Sequence, residues 1–323
     1  STRESELEKL IDVHPIVEEI LNYRELQKLL STYIDNIPTM VDANNRLHSH
    51  LNQAGTTTGR MSSNNPNLQN IPAREGLGAA IRNGFVASPG YKLVSFDYSQ
   101  IEMRVLAELS GDGDLVKIFQ EGKDVHTAVA SRVFQVSEKE VTKDMRRQAK
   151  VINFGIIYGM GVNALRANLG SSREDAQKFY DDYFAAFPTI RAYFDRVKDD
   201  AARSGYTLTF FGRRRYFPGI KSRLPFLRAS AERMAMNAPL QGTAADVVKI
   251  AMREADQIIV SGRYSKQASL LLQIHDELVF EIKDNLVDEI VPIIKKTMEN
   301  CVSFKVPLVT NVGVGQRWGE LKA

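Results

Sequence analysis

The sequence predicts an α+β fold in which strands from both ends of a helical middle section assemble into one antiparallel sheet. Apolar runs with strand character lie at 91–96 and, much later in the chain, at 270–274 and 278–282. Residues 114–204 have helical spacing almost throughout. This order of elements is typical of a sheet that carries a large helical insertion.

The part of the chain before the first strand predicts helices followed by a long polar loop. Residues 1–35 show helical spacing of leucine and isoleucine, interrupted near His14-Pro15, where proline breaks the helical hydrogen bonding. Residues 43–78 are rich in Asn, Thr, Ser, Gly and Pro, which is the chemistry of loops. A polar loop of this length in a compact domain is usually functional.

Beyond the first strand, the pattern predicts a helix from Ile101 to Leu109 and then the helical middle, with breaks at Gly170-Ser171 and Phe187-Pro188. Further segments are predicted toward the carboxyl end: a hairpin over 206–217 with its turn at Phe211-Gly212-Arg213, a long helix over 226–260 with an irregularity near Pro239 and Gly242, and an amphipathic helix over 285–301. The two late strands flank a tight turn, so that turn should lie at the edge of the sheet.

Composition is that of a globular chain that is not built for a membrane or for disulfide bonding. With 323 residues and 43% hydrophobic side chains, it has enough apolar material for one large core. It contains no run of eighteen apolar residues and no basic segment followed by an apolar leader, so we expect no membrane partner. The single cysteine, Cys301, fits a reducing, cytoplasmic compartment.

Positive charge is concentrated in one part of the chain. The formal net charge is only +3, but residues 203–233 contain eight Lys and Arg against one Glu. Such a cluster can attract a polyanion and release its counterions, and an ordinary solvated face is the alternative interpretation. Acidic residues are frequent in the first forty residues, so we expect nucleic acid to bind elsewhere.

Carboxylates stand at the ends of two predicted strands. Asp97 follows the first strand within Ser95–Glu102, and Asp276 lies in the later turn within Gln273–Glu277. A two-residue hairpin turn normally requires positive φ at both positions, which His275-Asp276 would adopt only under strain, and such strain points to function. Two carboxylates from different strands can hold two Mg²⁺ ions about 4 Å apart, which activates an attacking hydroxyl and neutralises a leaving pyrophosphate.

A third segment, from Arg146 through Gly159, supplies cations. Arg146, Lys150, Phe154 and Tyr158 recur every four residues and therefore share one broad helical face, cationic first and aromatic afterwards. Like charges four residues apart and two glycines weaken such a helix. Its chemistry suits a nucleoside triphosphate, whereas an ordinary amphipathic helix would not need the paired cations.

The three segments resemble motifs A, B and C of family A DNA polymerases, the bacterial DNA polymerase I type. The likeness runs from Ser1-Thr2 and His14-Pro15-Ile16-Val17 through Thr58-Gly59-Arg60-Met61-Ser62-Ser63 to Gly313-Val314-Gly315, nearly the whole chain. It implies the right-hand polymerase fold, an antiparallel palm sheet with a large helical fingers insertion. The implied divisions are the base of the thumb at 1–45, the palm at 46–112 and 226–323, and the fingers at 113–225. The family's upstream exonuclease domain and most of its thumb have no counterpart in the sequence, so we expect no proofreading.

The resemblance also implies roles for individual residues. Asp97 and Asp276 would bind the metal ions with the backbone carbonyl of Tyr98, and Glu277 either supports a metal or caps the turn. Those four groups and Lys150, the proton donor to pyrophosphate, form the predicted catalytic centre. The incoming dNTP would be bound by Arg146, Lys150, Phe154, Tyr158, Glu102, His126 and Gln100. Primer–template DNA would be contacted by Arg60, Gln241, Arg233, Asn237, His275, Arg74, Asn67 and Gln69.

Some of these residues would determine which sugar and which base pair the site accepts. By resemblance, Glu102 is a steric gate that rejects a ribose 2′-hydroxyl, and Phe154, rather than tyrosine, disfavours sugars without a 3′-hydroxyl. Arg60 and Gln241 would donate hydrogen bonds to minor-groove acceptors, which every correct base pair presents. These residues would let the site accept any sequence and still detect a mispair.

The predicted function is therefore DNA-dependent DNA synthesis by a two-Mg²⁺ mechanism, with dNTPs and a primer–template duplex as partners. We expect a monomer, located at the nucleoid if the source is bacterial; a phage or organellar source is left open. The alternatives are a DNA-binding fragment with little or no catalysis, because most of the thumb is absent, and a two-metal nuclease, which would leave Phe154, Tyr158 and Glu102 without a role.

Overall fold

The computed structural model describes residues 2–72, 77–261 and 264–321 and has the predicted mixture of helices and antiparallel sheet. The helices are α1 (Glu4–Leu7), α2 (Ile16–Leu29), α3 (Leu77–Arg82), α4 (Ile101–Ser110), α5 (Gly113–Gln120), α6 (Val125–Phe134), α7 (Lys143–Ile157), α8 (Val162–Leu169), α9 (Arg173–Ala186), α10 (Pro188–Ser204), α11 (Pro225–Ser261) and α12 (Val287–Asn300). The strands are β1 (His50–Asn52), β2 (Ser62–Asn64), β3 (Tyr91–Tyr98), β4 (Tyr206–Leu208), β5 (Arg214–Tyr216), β6 (Ala268–Ile274), β7 (Glu277–Lys283) and β8 (Thr310–Gly315).

The central sheet has four antiparallel strands in the order β6–β7–β3–β8. Strand β3 lies inside the sheet, although its neighbours β7 and β8 come from the last fifty residues of the chain. Asp97 on β3 is paired with Glu277 on β7 and with Asn311 on β8. The predicted assembly of the sheet from both ends of the helical middle is confirmed.

Strand β3 is buried on both faces because its alternating side chains enter two different cores. Val94 and Phe96 point into the larger core, which α4, α11 and α12 help to build. Leu93 belongs to a second cluster on the opposite face, where Tyr33 and Trp318 cover the sheet. Packing on both sides fixes the strand, and with it the position of Asp97.

Helix α11 is one continuous helix that packs on α4, α10 and α12. It continues through Pro239, so the irregularity predicted there does not end the helix. Its 37 residues correspond to a length of about 55 Å. One element therefore supports residues from both sides of the candidate site.

Other predicted elements need correction in detail. The polar segment 43–78 is not loop throughout, because β1 and β2 form an antiparallel pair within it and a 3₁₀ turn spans Leu68–Asn70. The helical middle has additional breaks after α5, α6 and α7. The predicted strand at 91–96 extends to Tyr98, so Asp97 lies within the strand instead of beyond it. In the described part of the chain, no helix combines the length and the apolar character needed to cross a membrane.

Candidate active site

Three carboxylates lie together at one end of the central sheet. Asp97 and Glu277 are directly opposed on β3 and β7, and opposed residues of antiparallel strands project from the same face. Asp276 precedes Glu277 in the β6–β7 turn, where its backbone carbonyl accepts a hydrogen bond from the N–H of Tyr98 at 3.2 Å. The fold thus brings the predicted residues Asp97, Tyr98, Asp276 and Glu277 together.

The electrostatics of this cluster favour a bound cation. Burial, and then the charge of Asp276, raises the pKa of Asp97 to about 6. Burial and the charge of Asp97 raise the pKa of Glu277 to about 7, and burial raises the pKa of Asp276. Like charges held close together resist ionisation unless a counterion accompanies them.

The turn that carries Asp276 is less strained than predicted. His275 has a φ of +52°, in the left-handed region, but Asp276 does not. The prediction that both turn residues would need positive φ is wrong, since a turn with one such position also suits a hairpin. His275 alone adopts the uncommon conformation, and it is exposed at the tip.

Arg60 neutralises part of the carboxylate cluster. Its Nη2 donates to Glu102 Oε1 at 3.0 Å and to Asp276 Oδ1 at 3.4 Å. Tyr158 also hydrogen-bonds Glu102, which is 8% exposed. The predicted minor-groove donor Arg60 and the predicted steric gate Glu102 therefore lie in one network with a predicted metal ligand.

Helix α7 carries the predicted cationic and aromatic face, and its end lies near the carboxylates, because Tyr158 interacts with Glu102. That the whole face borders the site stays a prediction. Arg146, Lys150 and Phe154 are all exposed on this face. Tyr158 is 50% exposed but follows the last residue of α7 and caps it, so the prediction that it lies within the helix is wrong. Asn237 on α11 donates through Nδ2 to the carbonyl of Ile157 at 3.1 Å, which ties the end of α7 to α11.

Arg146 has an intramolecular partner that the sequence reasoning missed. Its Nε and Nη2 donate to the two carboxylate oxygens of Asp124, at 3.1 and 2.8 Å. Asp124 also accepts from the N–H of Thr127 as the N-cap of α6. Burial acts to raise the pKa of Asp124, but the hydrogen bonds from Arg146 and Thr127 outweigh it and bring the pKa down to about 2. The guanidinium is thereby held at the edge of the site in a fixed orientation.

His126 is buried beneath the α7 face. It is 3% exposed, its Nδ1 lies 3.0 Å from Asn153 Nδ2, and its ring lies 5.8 Å from that of Phe154. Burial lowers the pKa of His126 to about 4; Asp124 acts to raise it, and Arg146 and Lys150 act to lower it. A neutral His126 supporting Phe154 is therefore the state at pH 7, and its predicted triphosphate contact stays a prediction.

Acid should destabilise the fold through His126. Because its pKa is near 6.5 when unfolded and about 4 when folded, the unfolded chain binds more protons between these values, and stability falls as the pH drops through that window. Relative to a His126→Gln variant, the parent should lose roughly 3 kcal/mol of unfolding free energy between pH 7 and pH 4. The raised pKa values of Asp97 and Glu277 change stability with pH in the opposite direction. Both residues are present in the parent and in the variant, so their contributions cancel in the comparison.

Urea unfolding at several pH values measures this difference directly. A His50→Gln variant is the control, since His50 is exposed on β1. A parallel loss of stability in the parent and in His126→Gln would contradict the assignment of a neutral buried imidazole.

Of the predicted DNA-binding residues, Gln69 and His275 lie at the β6–β7 turn, and Arg233 and Asn237 lie beside the end of α7. Gln69 Nε2 donates to Gln273 Oε1 at 3.0 Å, and Gln273 Nε2 donates to the carbonyl of His275 at 2.5 Å. Asn67 is exposed and caps the following 3₁₀ turn through its side chain. Arg233 and Tyr158 border an open groove of about 540 Å³. Gln241 is half-buried on α11.

Two further predicted residues complete this description. Gln100 has a φ of +53° and precedes α4 as its N-cap, two residues before Glu102. Arg74 lies outside the described residues. In the ranges that the structure describes, no group of three or more His, Cys, Asp or Glu side chains is arranged to hold a metal ion by itself.

The donor set nevertheless suits Mg²⁺. Magnesium is a hard cation that binds through one or two carboxylates plus substrate phosphates and water, instead of through a complete protein cage. Asp97 and Asp276 provide two carboxylates, and burial raises the pKa of both, so a nearby cation would favour their ionised forms. The residues present therefore fit a divalent cation shared with a phosphate-bearing ligand.

Comparison with known proteins supports one interpretation of this site. A family model described as DNA polymerase family A matches residues 1–320. The chain is 48% identical over its whole length to the thermostable DNA polymerase I of Thermus filiformis and of Thermus aquaticus, and 45% identical to DNA polymerase I of Deinococcus radiodurans. It spans 38% of the length of the two Thermus proteins and 33% of the Deinococcus protein.

A solved structure has the same fold. It is described as the POL domain of Pol1 from M. smegmatis in complex with DNA primer-template and dNTP. The superposition has a TM-score of 0.91 at 40% sequence identity, and covers 99% of this chain and 56% of that one. Its right-hand architecture agrees with the sheet and helices described above.

Proposed function

The chain belongs to DNA polymerase family A, and from that membership we propose that it adds deoxynucleotides to a primer 3′-hydroxyl under the direction of a template, releasing pyrophosphate. The observation that carries the proposal is the meeting of Asp97 and Asp276 at one end of the sheet, with Tyr158 at the end of α7 close to Glu102 and Asp276. That the M. smegmatis POL domain binds primer-template and dNTP supports the same two partners here.

Asp97 and Asp276 would hold two Mg²⁺ ions, with the carbonyl of Tyr98 as a further ligand and Glu277 beside them. When bound, these ions would stabilise charge on the attacking hydroxyl and the leaving pyrophosphate. A bound cation would also offset the burial and the repulsion that raise the pKa values of Asp97 and Glu277.

The exposed face of α7 would bind the triphosphate. Arg146, already oriented by Asp124, and Lys150 would bind the phosphates, and Phe154 would stack on the sugar and base. Lys150 would donate a proton to the departing pyrophosphate. Gln100, His126 and Tyr158 would complete the nucleotide pocket, and Tyr158 would lie near the templating base.

The primer–template duplex would lie across the sheet end and α11. Arg60 and Gln241 would face the minor groove at the primer terminus, so Arg60 would exchange its contacts with Glu102 and Asp276 for base acceptors. Arg233, Asn237, Asn67, Gln69, His275 and Arg74 would contact the strands around them. We infer a monomeric enzyme acting at the bacterial nucleoid, in keeping with the bacterial relatives.

Extension of a labelled primer on a short template tests the proposal. With Mg²⁺ and four dNTPs, the parent chain should lengthen the primer, and chelation of the metal with EDTA should stop it. Duplex binding without extension would identify a DNA-binding fragment instead. Shortening of the primer in Mg²⁺ without dNTPs would indicate a nuclease.

Replacing Glu102 with alanine should relax the choice of sugar. The carboxylate is fixed by Arg60 and Tyr158, so its removal opens space where a 2′-hydroxyl would lie. We expect the efficiency of ribonucleotide relative to deoxynucleotide incorporation to rise about tenfold or more. Single-nucleotide kinetics measure this ratio.

A Glu108→Ala variant controls for simple damage to α4. Glu108 lies near the other end of this helix, where its carboxylate accepts hydrogen bonds from the backbone N–H groups of Lys305 and Val306. It should lose stability without changing the sugar ratio. If the parent and Glu102→Ala incorporate ribonucleotides relative to deoxynucleotides with equal efficiency, Glu102 is not a steric gate.

A further inference from the structure

Arg213 joins two parts of the molecule that carry the proposed minor-groove residues. It follows the turn of the β4–β5 hairpin. Its guanidinium donates hydrogen bonds to three groups, two backbone carbonyls and one carboxylate. Nη2 donates to the carbonyl of Thr58 at 2.7 Å and to that of Gly242 at 3.0 Å. Nε donates to Asp246 Oδ1 at 2.8 Å.

The positions of these acceptors are informative. Thr58 lies two residues before Arg60, and Gly242 directly follows Gln241. Asp246 lies one helical turn further along α11 and anchors the guanidinium to that helix. One side chain therefore spans the loop that carries Arg60 and the helix that carries Gln241.

Glycines allow the guanidinium to approach this closely. Gly59 has a φ of +85°, and a Cβ placed there would overlap the Arg213 guanidinium. A Cβ on Gly242 would lie 2.6 Å from Thr209 Cγ2 and 3.0 Å from Arg213 Nη2. The loop and the helix are thus closely packed around the Arg213 side chain.

We propose that Arg213 is a positioning residue that sets the separation of Arg60 and Gln241, so that rejection of a mispaired primer terminus depends on it. This inference rests on the proposed polymerase function. Detection of a mispair requires two donors at a fixed spacing, because correct pairs present their minor-groove acceptors in constant positions. Arg213 controls that spacing through the carbonyls of Thr58 and Gly242.

Arginine suits this position for a geometric reason. Its planar fork directs Nε and Nη2 toward separate acceptors at once, whereas a lysine ammonium is a point charge on a flexible stem. Arg213→Lys therefore keeps the charge but loses the simultaneous contacts, and it is a gentler change than Arg213→Ala.

The test compares extension of a matched primer terminus with extension of a mispaired one. For Arg213→Lys we expect the ratio of matched to mispaired kcat/KM to fall about tenfold, with the matched value within about threefold of the parent. In an Arg60→Ala background the same change should alter the ratio less than about twofold, because Arg213 acts through Arg60. Arg191→Ala, which removes a guanidinium packed on Phe184, should leave the ratio unchanged.

Several results would overturn the inference. An unchanged ratio in Arg213→Lys would do so, and so would equal effects in the parent and Arg60→Ala backgrounds. Weaker binding of matched and mispaired duplexes alike, with a smaller salt dependence, would make Arg213 a direct phosphate contact instead.

The proposed function and this inference can fail separately. If the parent extends no primer, the polymerase proposal fails, and fluorescence anisotropy with matched and mispaired duplexes then tests Arg213 by binding alone. A parental preference for the matched terminus that Arg213→Lys loses would support the positioning role. A preference that both proteins keep, or that the parent lacks, would overturn it.

Discussion

Replacing Asp97 with asparagine should slow nucleotide addition by about a thousandfold or more. Asparagine keeps the shape of the side chain but loses the charge that holds Mg²⁺ at the sheet end. A loss of this size corresponds to about 4 kcal/mol of transition-state stabilisation. Single-turnover primer extension at saturating Mg²⁺ and dNTP measures it.

The same substitution should make the metal-free protein more stable. Asp97 has a folded pKa of about 6 and an unfolded value near 3.8, so its ionised form is disfavoured in the fold above that range. At pH 8 the Asp97→Asn variant should gain about 3 kcal/mol of unfolding free energy in EDTA. The gain should shrink in Mg²⁺, which stabilises the parent.

Asp284→Asn is the matched control for both measurements. Asp284 follows the opposite end of β7, is exposed, and lies 3.9 Å from Lys92. It should affect neither rate nor metal dependence. Extension by Asp97→Asn at the parental rate would remove Asp97 from the proposed metal site, whatever its effect on stability.

Lys150 should show the second largest effect, and two substitutions separate its two roles. Lys150→Ala removes both the phosphate contact and the proton donor, so kcat should fall by about a hundredfold or more and KM for dNTP should rise. Lys150→Arg keeps the positive charge, but arginine does not release a proton near neutral pH. Its KM should stay close to the parental value while kcat still falls about tenfold or more.

Pre-steady-state incorporation kinetics give kcat and KM for these variants. Lys143→Ala, at the exposed first turn of α7, is the control for loss of a lysine from the same helix. A full recovery of kcat in Lys150→Arg would mean that charge alone accounts for Lys150 and that the proton comes from elsewhere.

The elements predicted best from the sequence are those with a strong local pattern. The apolar run at 91–96 predicted a strand, and the structure places the side chains of Leu93, Val94 and Phe96 in two cores. Asp97 and Asp276 could be predicted to meet because each follows or joins a strand of the same sheet. Such inferences need only periodicity, a turn and one assumption about topology.

The features that were missed depend on contacts between distant parts of the chain. The pairing of Arg146 with Asp124 and the two carboxylates around Arg60 are tertiary contacts that no local pattern encodes. Arg213 belongs to the cationic cluster of residues 203–233, but its guanidinium donates hydrogen bonds within the protein, to Asp246 and to the carbonyl of Thr58. The burial of His126 could not be predicted either, since a lone histidine carries no periodic signal.

Tyr158 is a different case, because a local signal was present. Gly159 follows it with a φ of +66°, the conformation in which helices commonly end at glycine. The four-residue repeat of Arg146, Lys150, Phe154 and Tyr158 predicts a longer helix, but the glycine after Tyr158 ends it. Tyr158 therefore lies at the end of α7, where it interacts with Glu102.

The strand order of the central sheet has a consequence for how the chain folds. β3 must pair with strands that are synthesised about 180 to 220 residues later, so its two ladders close very long loops. Folding rates fall as the sequence separation of native contacts increases. Until the last strands arrive, the unpaired edges and the apolar faces of β3 are exposed and prone to aggregation. The helical middle has time to form first. The proposed metal-binding centre is consequently among the last parts of the protein to be assembled, and a chain truncated before β7 would have a complete α7 face without a catalytic centre.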